Sequence, residues 1–64
     1  MTGVIQRVIT VEVWGSKIDV KVTQKSKSVW IARGEYLGQS YETQDRTPTS
    51  AATAWARMVK YRTN

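Results

Sequence analysis

Seven side chains have the types and spacing to hold a polyanion. Lys17, Lys21, Lys25, Lys27 and Arg33 supply positive charge, and Trp14 and Trp30 lie among them as flat aromatic surfaces. Lys17, Lys21 and Lys25 recur at every fourth position, so on an extended strand, where side chains alternate with a period of two, they share one face. Cations interleaved with indoles suit a phosphate backbone with stacked or inserted bases. Trp14 beside Lys17 equally suits a cation–π contact that stabilises a hairpin and binds nothing.

The chain contains no Cys and no His. That removes thiolate nucleophiles, imidazole bases and Cys/His zinc sites together. Glu35, Glu42 and Asp45 are neighbours in sequence, but a carboxylate pair that works as acid and base needs a concave site driving the two pKa values apart. Nothing in the sequence predicts one. Glycine-rich phosphate loops, Walker motifs and metal-ligand spacings do not occur either. These residues describe a binding protein rather than an enzyme, with no metal, no cofactor and no evident small-molecule substrate.

Ten Lys and Arg against five Asp and Glu give a formal charge of +5 in 64 residues. A basic domain attracts polyanions by releasing their counterions, whatever else it does. Charge of this size also simply keeps a small protein soluble. A chain this short forms one small domain, residues 1–64, and buries only about 60% of its unfolded surface. Without disulfide or metal such a core leaves little stability, so a homodimer or another protein partner is an alternative expectation. The longest apolar runs span a few residues, and Met1-Thr2-Gly3 opens no basic-then-apolar leader. A cytoplasmic protein without a membrane span is expected.

The elements that must position these side chains are legible from periodicity. Over 7–14, Ile9, Val11 and Val13 alternate with Val8, Thr10, Glu12 and Trp14; over 17–25, Ile18, Val20 and Val22 alternate with Lys17, Asp19, Lys21, Thr23 and Lys25. Both read as half-buried strands. Gly15-Ser16 between them suits a type II′ turn, with glycine in the first central position. That loop sets Val13 against Ile18, Val11 against Val20 and Ile9 against Val22, which places all six apolar residues on one face. It also sets Glu12 against Asp19, a like-charge pair that destabilises by a few tenths of a kcal/mol or more.

A third strand is expected at about 28–34. A tight connection at Ser26-Lys27 puts Val29 and Ile31 on the apolar face and turns Trp30 outward, beside the lysines. A different loop geometry reverses the two faces, and burying Trp30 releases more free energy than burying Val29. The segment 36–43 reads as a fourth, short strand with Gly38 as a turn residue. After the polar Gln44-Asp45-Arg46, Thr47 is an N-cap and Pro48 suits the first helical turn. A helix over 48–61 follows, with Ala51, Ala52, Trp55, Met58 and Val59 as its apolar stripe. The fold class is therefore α+β: a three- or four-stranded antiparallel sheet with one C-terminal helix packed on one face. Ile9, Val11, Val13, Ile18, Val20, Val22, Ile31, Ala52, Trp55 and Val59 are the expected core.

In the C-terminal half, Trp30-Ile31-Ala32, Leu37-Gly38 and Thr47-Pro48-Thr49-Ser50-Ala51-Ala52-Thr53-Ala54-Trp55 follow an order of features that resembles the sheet-plus-helix DNA-binding domains of plant ethylene-response factors. The architecture is also similar to the N-terminal domains of tyrosine-type integrases. The whole chain, with its aromatic-Arg-X-Asn ending at Tyr61 to Asn64, resembles a set of short bacterial proteins of uncharacterised function. The first resemblance implies an open sheet face that enters the major groove with Arg and Trp side chains. The longer segment between Gly38 and Thr47, and the Lys-rich first strands, depart from that pattern. The expected function is that of a small basic nucleic-acid-binding domain, with Trp14, Lys17, Lys21, Lys25, Lys27, Trp30 and Arg33 on an open sheet face; the alternative is a protein-interaction module or homodimeric adaptor.

Overall fold

The computed structural model describes residues 6–63; the leader reading at Met1-Thr2-Gly3 lies outside them. Strands β1 (Gln6–Val13), β2 (Ser16–Ser26), β3 (Val29–Tyr36) and β4 (Gln39–Asp45) form one antiparallel sheet in the order β1-β2-β3-β4, followed by helix α1 (Pro48–Arg62). The expected α+β architecture is present, with all four strands formed. No helix among the described residues is long and apolar enough to cross a membrane.

The first hairpin departs from expectation in an informative way. Its loop is Trp14-Gly15, not Gly15-Ser16, and Val13 pairs with Ser16. Both central residues have positive φ, 50° at Trp14 and 81° at Gly15, as a type I′ turn requires. The register therefore slips by two residues: Val11 faces Ile18 and Ile9 faces Val20. A slip of two preserves the faces, so the apolar side is unchanged. It also removes the expected clash, because Glu12 now faces Lys17 and Asp19 faces Thr10, whose hydroxyl donates to Asp19 Oδ1 at 2.9 Å.

The second hairpin reverses a face. The loop is Lys27-Ser28 rather than Ser26-Lys27, and a bulge between Gln24 and Ser26 sets Gln24 opposite Trp30 and Val22 opposite Ala32. This one-residue change turns every β3 side chain over. Trp30 is inside at 8% exposure and Ala32 is fully buried, while Val29 and the expected core residue Ile31 lie on the open face. Burial of the larger ring decides the register. Arg7 covers Trp30 with its guanidinium carbon 5.8 Å from the ring centroid, a cation–π distance.

The third hairpin repeats the first. Tyr36 pairs with Gln39 across Leu37-Gly38, whose φ values are 52° and 78°. Leucine in the left-handed region is disfavoured by its Cβ, whereas asparagine tolerates it. Leu37 is 80% exposed, so it gains little from burial in return. Leu37→Asn should therefore raise stability by about 0.5–1 kcal/mol, read as a higher urea midpoint at unchanged slope; an unchanged or lower midpoint contradicts the strain argument.

Helix α1 starts where β4 ends, beside the Lys27-Ser28 turn, and finishes at the opposite end beside Trp14. Thr47 caps it, its Oγ1 accepting from the Ser50 backbone N–H at 3.1 Å, and Pro48 occupies the first turn. Ala51, Ala52, Trp55, Ala56 and Val59 are buried against Val13, Val20, Val22, Trp30 and Ala32. Alanines at the crossing let helix and sheet approach closely. Of the remaining expected core, Ile9, Val11 and Ile18 pack against this cluster half-buried.

Trp55 organises the centre. Its ring is fully buried, its indole N–H donates to the Tyr41 carbonyl at 3.0 Å, and it meets the Tyr41 ring edge-on at 6.4 Å and 85°. Gly34 on β3 lies directly beneath it: a Cβ added there would fall 2.7 Å from Trp55 Cζ2. Close approach, rather than a turn, requires this glycine.

Candidate nucleic-acid interface

β2 pairs with β3 only from Ser26 to Lys21. Beyond that, Ser16–Val20 is paired with β1 alone, and Gly34–Tyr36 with β4 alone. The sheet thus divides into two hairpins towards the Trp14 end. On its open side this division leaves a cleft of about 580 Å³ lined by Asp19, Lys21, Arg33, Glu35 and Glu42 among others. Charges of both signs meet here. Arg33 Nε lies 2.9 Å from Glu42 Oε1, with both side chains largely exposed, an ion pair worth at most about 1 kcal/mol. Among the described residues, no cluster of acidic side chains is arranged to hold a metal.

The expected site residues do not stay together. Lys17 and Lys21 do point from the open face of β2, as the alternation implies, and Arg33 joins them from β3 opposite Lys21. Lys25 occupies the bulge and Lys27 the turn at one end of the sheet. Trp30 is on the other side, facing the helix, and cannot stack on anything outside. Trp14 has left the sheet face for the turn at the opposite end, where it is 55% exposed. The grouping of cations around two indoles on one face is therefore dissolved.

Its replacement is a separation of charge. The open face carries Lys17, Lys21 and Arg33 against Glu12, Asp19, Glu35 and Glu42, three cations against four carboxylates. Every other cation lies elsewhere. Arg7, Lys25, Lys27 and Arg46 belong to the end with the Lys27-Ser28 turn, and Arg57, Lys60 and Arg62 to the helix; only Asp45 opposes these seven. The net charges are −1 for the open face and +6 for the rest, which together give the +5 of the chain.

The helix presents its cations outward. Thr49, Thr53, Arg57 and Lys60 are exposed at spacings of four, four and three, one stripe along the side away from the sheet. No acidic residue occupies the first turn, and Lys60 and Arg62 lie in the last. A shallow groove beside the first half of the helix is lined by Asp45, Thr47, Thr49, Ser50, Thr53 and Arg57. Hydroxyls, an arginine and the positive end of the helix dipole are suited to phosphate oxygens. Sequence reasoning missed this stripe because it took Arg57 and Lys60 only as the solvated side of an amphipathic helix; the signal was the absence of Asp and Glu from residues 46–64.

No protein-family model, no curated protein and no solved structure matches this chain.

Proposed function

We propose that the chain is a small nucleic-acid-binding domain, held mainly by phosphate contacts from cations of the helix side and the Lys27-Ser28 end. The observation that carries this reading is the segregation of charge. Four of the five carboxylates stand on the open sheet face, so a polyanion approaching the helix side and the Lys27-Ser28 end meets, over the two together, seven cations and one carboxylate, Asp45. Electrostatic focusing of this kind raises both affinity and on-rate. Lys17, Lys21 and Arg33 contribute less, because each has carboxylates beside it. The open sheet face, which the resemblance to ethylene-response factors favours, is on this account the weaker phosphate surface.

Counterion release makes the reading testable. Affinity for duplex DNA should fall by about 0.9 log units per log unit of salt for each phosphate neutralised. The double variant Arg57→Ala/Lys60→Ala should flatten that slope by about one unit for each phosphate no longer neutralised, across all sequences alike. The double variant Lys17→Ala/Lys21→Ala should flatten it less. Titration of labelled duplex and single-stranded DNA and RNA at several salt concentrations decides this. A slope more sensitive to Lys17 and Lys21 returns the site to the sheet face, and no binding tighter than about 1 mM at low salt removes the nucleic-acid reading.

A further inference from the structure

Trp14 breaks two rules at once. It takes a left-handed backbone conformation, φ 50°, at a turn position that Asn or Gly would fill without strain. It also leaves a large aromatic residue 55% exposed to water. Its ring is nevertheless anchored at its polar edge. Nε1–H donates to Thr63 Oγ1 at 2.9 Å, and that hydroxyl donates in turn to the Val59 carbonyl at 2.6 Å. The indole is thus tied by its polar edge to the last turn of α1, while part of its surface stays open.

Resting on the nucleic-acid reading above, we propose that Trp14 is a preset stacking platform for an unpaired base, so that the ligand is single-stranded nucleic acid rather than duplex. A base in a duplex already has both π-faces covered, whereas an unpaired base gains an aromatic partner whatever its identity. Ordering the ring in advance removes the entropy that a mobile side chain would lose on binding. The surroundings fit the same ligand. Arg62 adjoins Thr63 in the chain and Lys60 lies in the same helical turn, and these cations offset the negative helix terminus for the phosphates that flank the base. The basic stripe of Arg57 and Lys60 leads along the helix to this platform.

Trp30 and Trp55 are buried, so Trp14 supplies the solvent-accessible part of the tryptophan fluorescence. In the unaltered protein, a short oligothymidylate should quench that emission and shield it from acrylamide. An abasic oligomer of equal length and charge should bind without doing so. Trp14→Asn keeps a residue suited to the turn while removing the platform. Once circular dichroism shows it folded, it should bind the oligothymidylate roughly ten- to a hundredfold more weakly and the abasic oligomer equally well. Equal loss with both oligomers, or no loss with either, overturns the platform while leaving the nucleic-acid reading intact, as does tighter binding of duplex than of single strand. Failure of the unaltered protein to bind any oligomer removes both.

Discussion

Trp55→Ala should leave most of the chain unfolded at room temperature. The ring is the largest fully buried side chain, and deleting a buried aromatic from a core costs about 3–5 kcal/mol, the transfer of its atoms plus the cavity left behind. Two losses specific to this site add to that. The indole N–H no longer reaches the Tyr41 carbonyl, and the edge-on packing with the Tyr41 ring disappears. A single core of this size, without disulfide or metal, supplies about 3–5 kcal/mol in total. Loss and total are equal in size, so no folded majority remains. The expected result is loss of near-ultraviolet dichroism and of a cooperative urea transition. Trp30→Ala should cost less, since that ring lies at the end of the sheet under Arg7 and keeps some exposure. A Trp55→Ala protein that melts cooperatively within about 1 kcal/mol of the parent contradicts the central place given to this ring.

How much of this architecture the residues announce depends on what each signal encodes. Alternation over Ile9, Val11 and Val13, and over Ile18, Val20 and Val22, encodes which face is buried, and that face is as expected. It does not encode register, because any even slip leaves the pattern intact. The turn decided between the candidate registers. Gly15 serves as the second residue of a type I′ turn rather than the first of a type II′ turn, and the choice also places opposite charges at Glu12 and Lys17. For β3 the alternation was ambiguous in phase as well, since both Val29-Ile31 and Trp30-Ala32 present apolar groups. Only the bulge at Lys25, which leaves no trace in hydropathy, resolves it. The helix was legible almost to the residue because its cap, its Pro48 and its 3.6-residue stripe are all local features.

The candidate site was harder to read for a related reason. Net charge is a property of the chain, but its distribution depends on pairing three strands correctly, and an error of one residue in β3 was enough to place Trp30 outside. A loop at Gly15-Ser16 makes Trp14 a strand residue and puts it on the sheet face. As a turn residue it meets Thr63 instead, a residue 49 positions distant in the chain that no local pattern announces. The four carboxylates of the open face lie on four different strands, so their concentration became visible only once the sheet was assembled.

Gly34→Ala should destabilise the protein by about 1–2 kcal/mol, and should do so only while Trp55 is present. In most strand positions this replacement is favourable, because alanine restricts the unfolded chain and gains about 0.4–1 kcal/mol. Here φ is unexceptional, and the obstacle is purely steric. The added Cβ meets Trp55 Cζ2 at 2.7 Å and Cε2 at 3.1 Å, well inside van der Waals contact. The ring cannot swing away without breaking its bond to the Tyr41 carbonyl, and forcing a methyl group into a packed core costs about 1–3 kcal/mol. The clash therefore outweighs the entropic gain. Cζ2 belongs to the six-membered part of the indole, which phenylalanine does not place at that spot. In a Trp55→Phe background, itself destabilised by the shrunken ring, the same Gly34→Ala change should be neutral or stabilising. A urea titration of the four proteins reads this sign reversal as a coupling of about 1–3 kcal/mol between the two positions. Additive effects of the two replacements would mean that Gly34 is required for some reason other than the approach of Trp55.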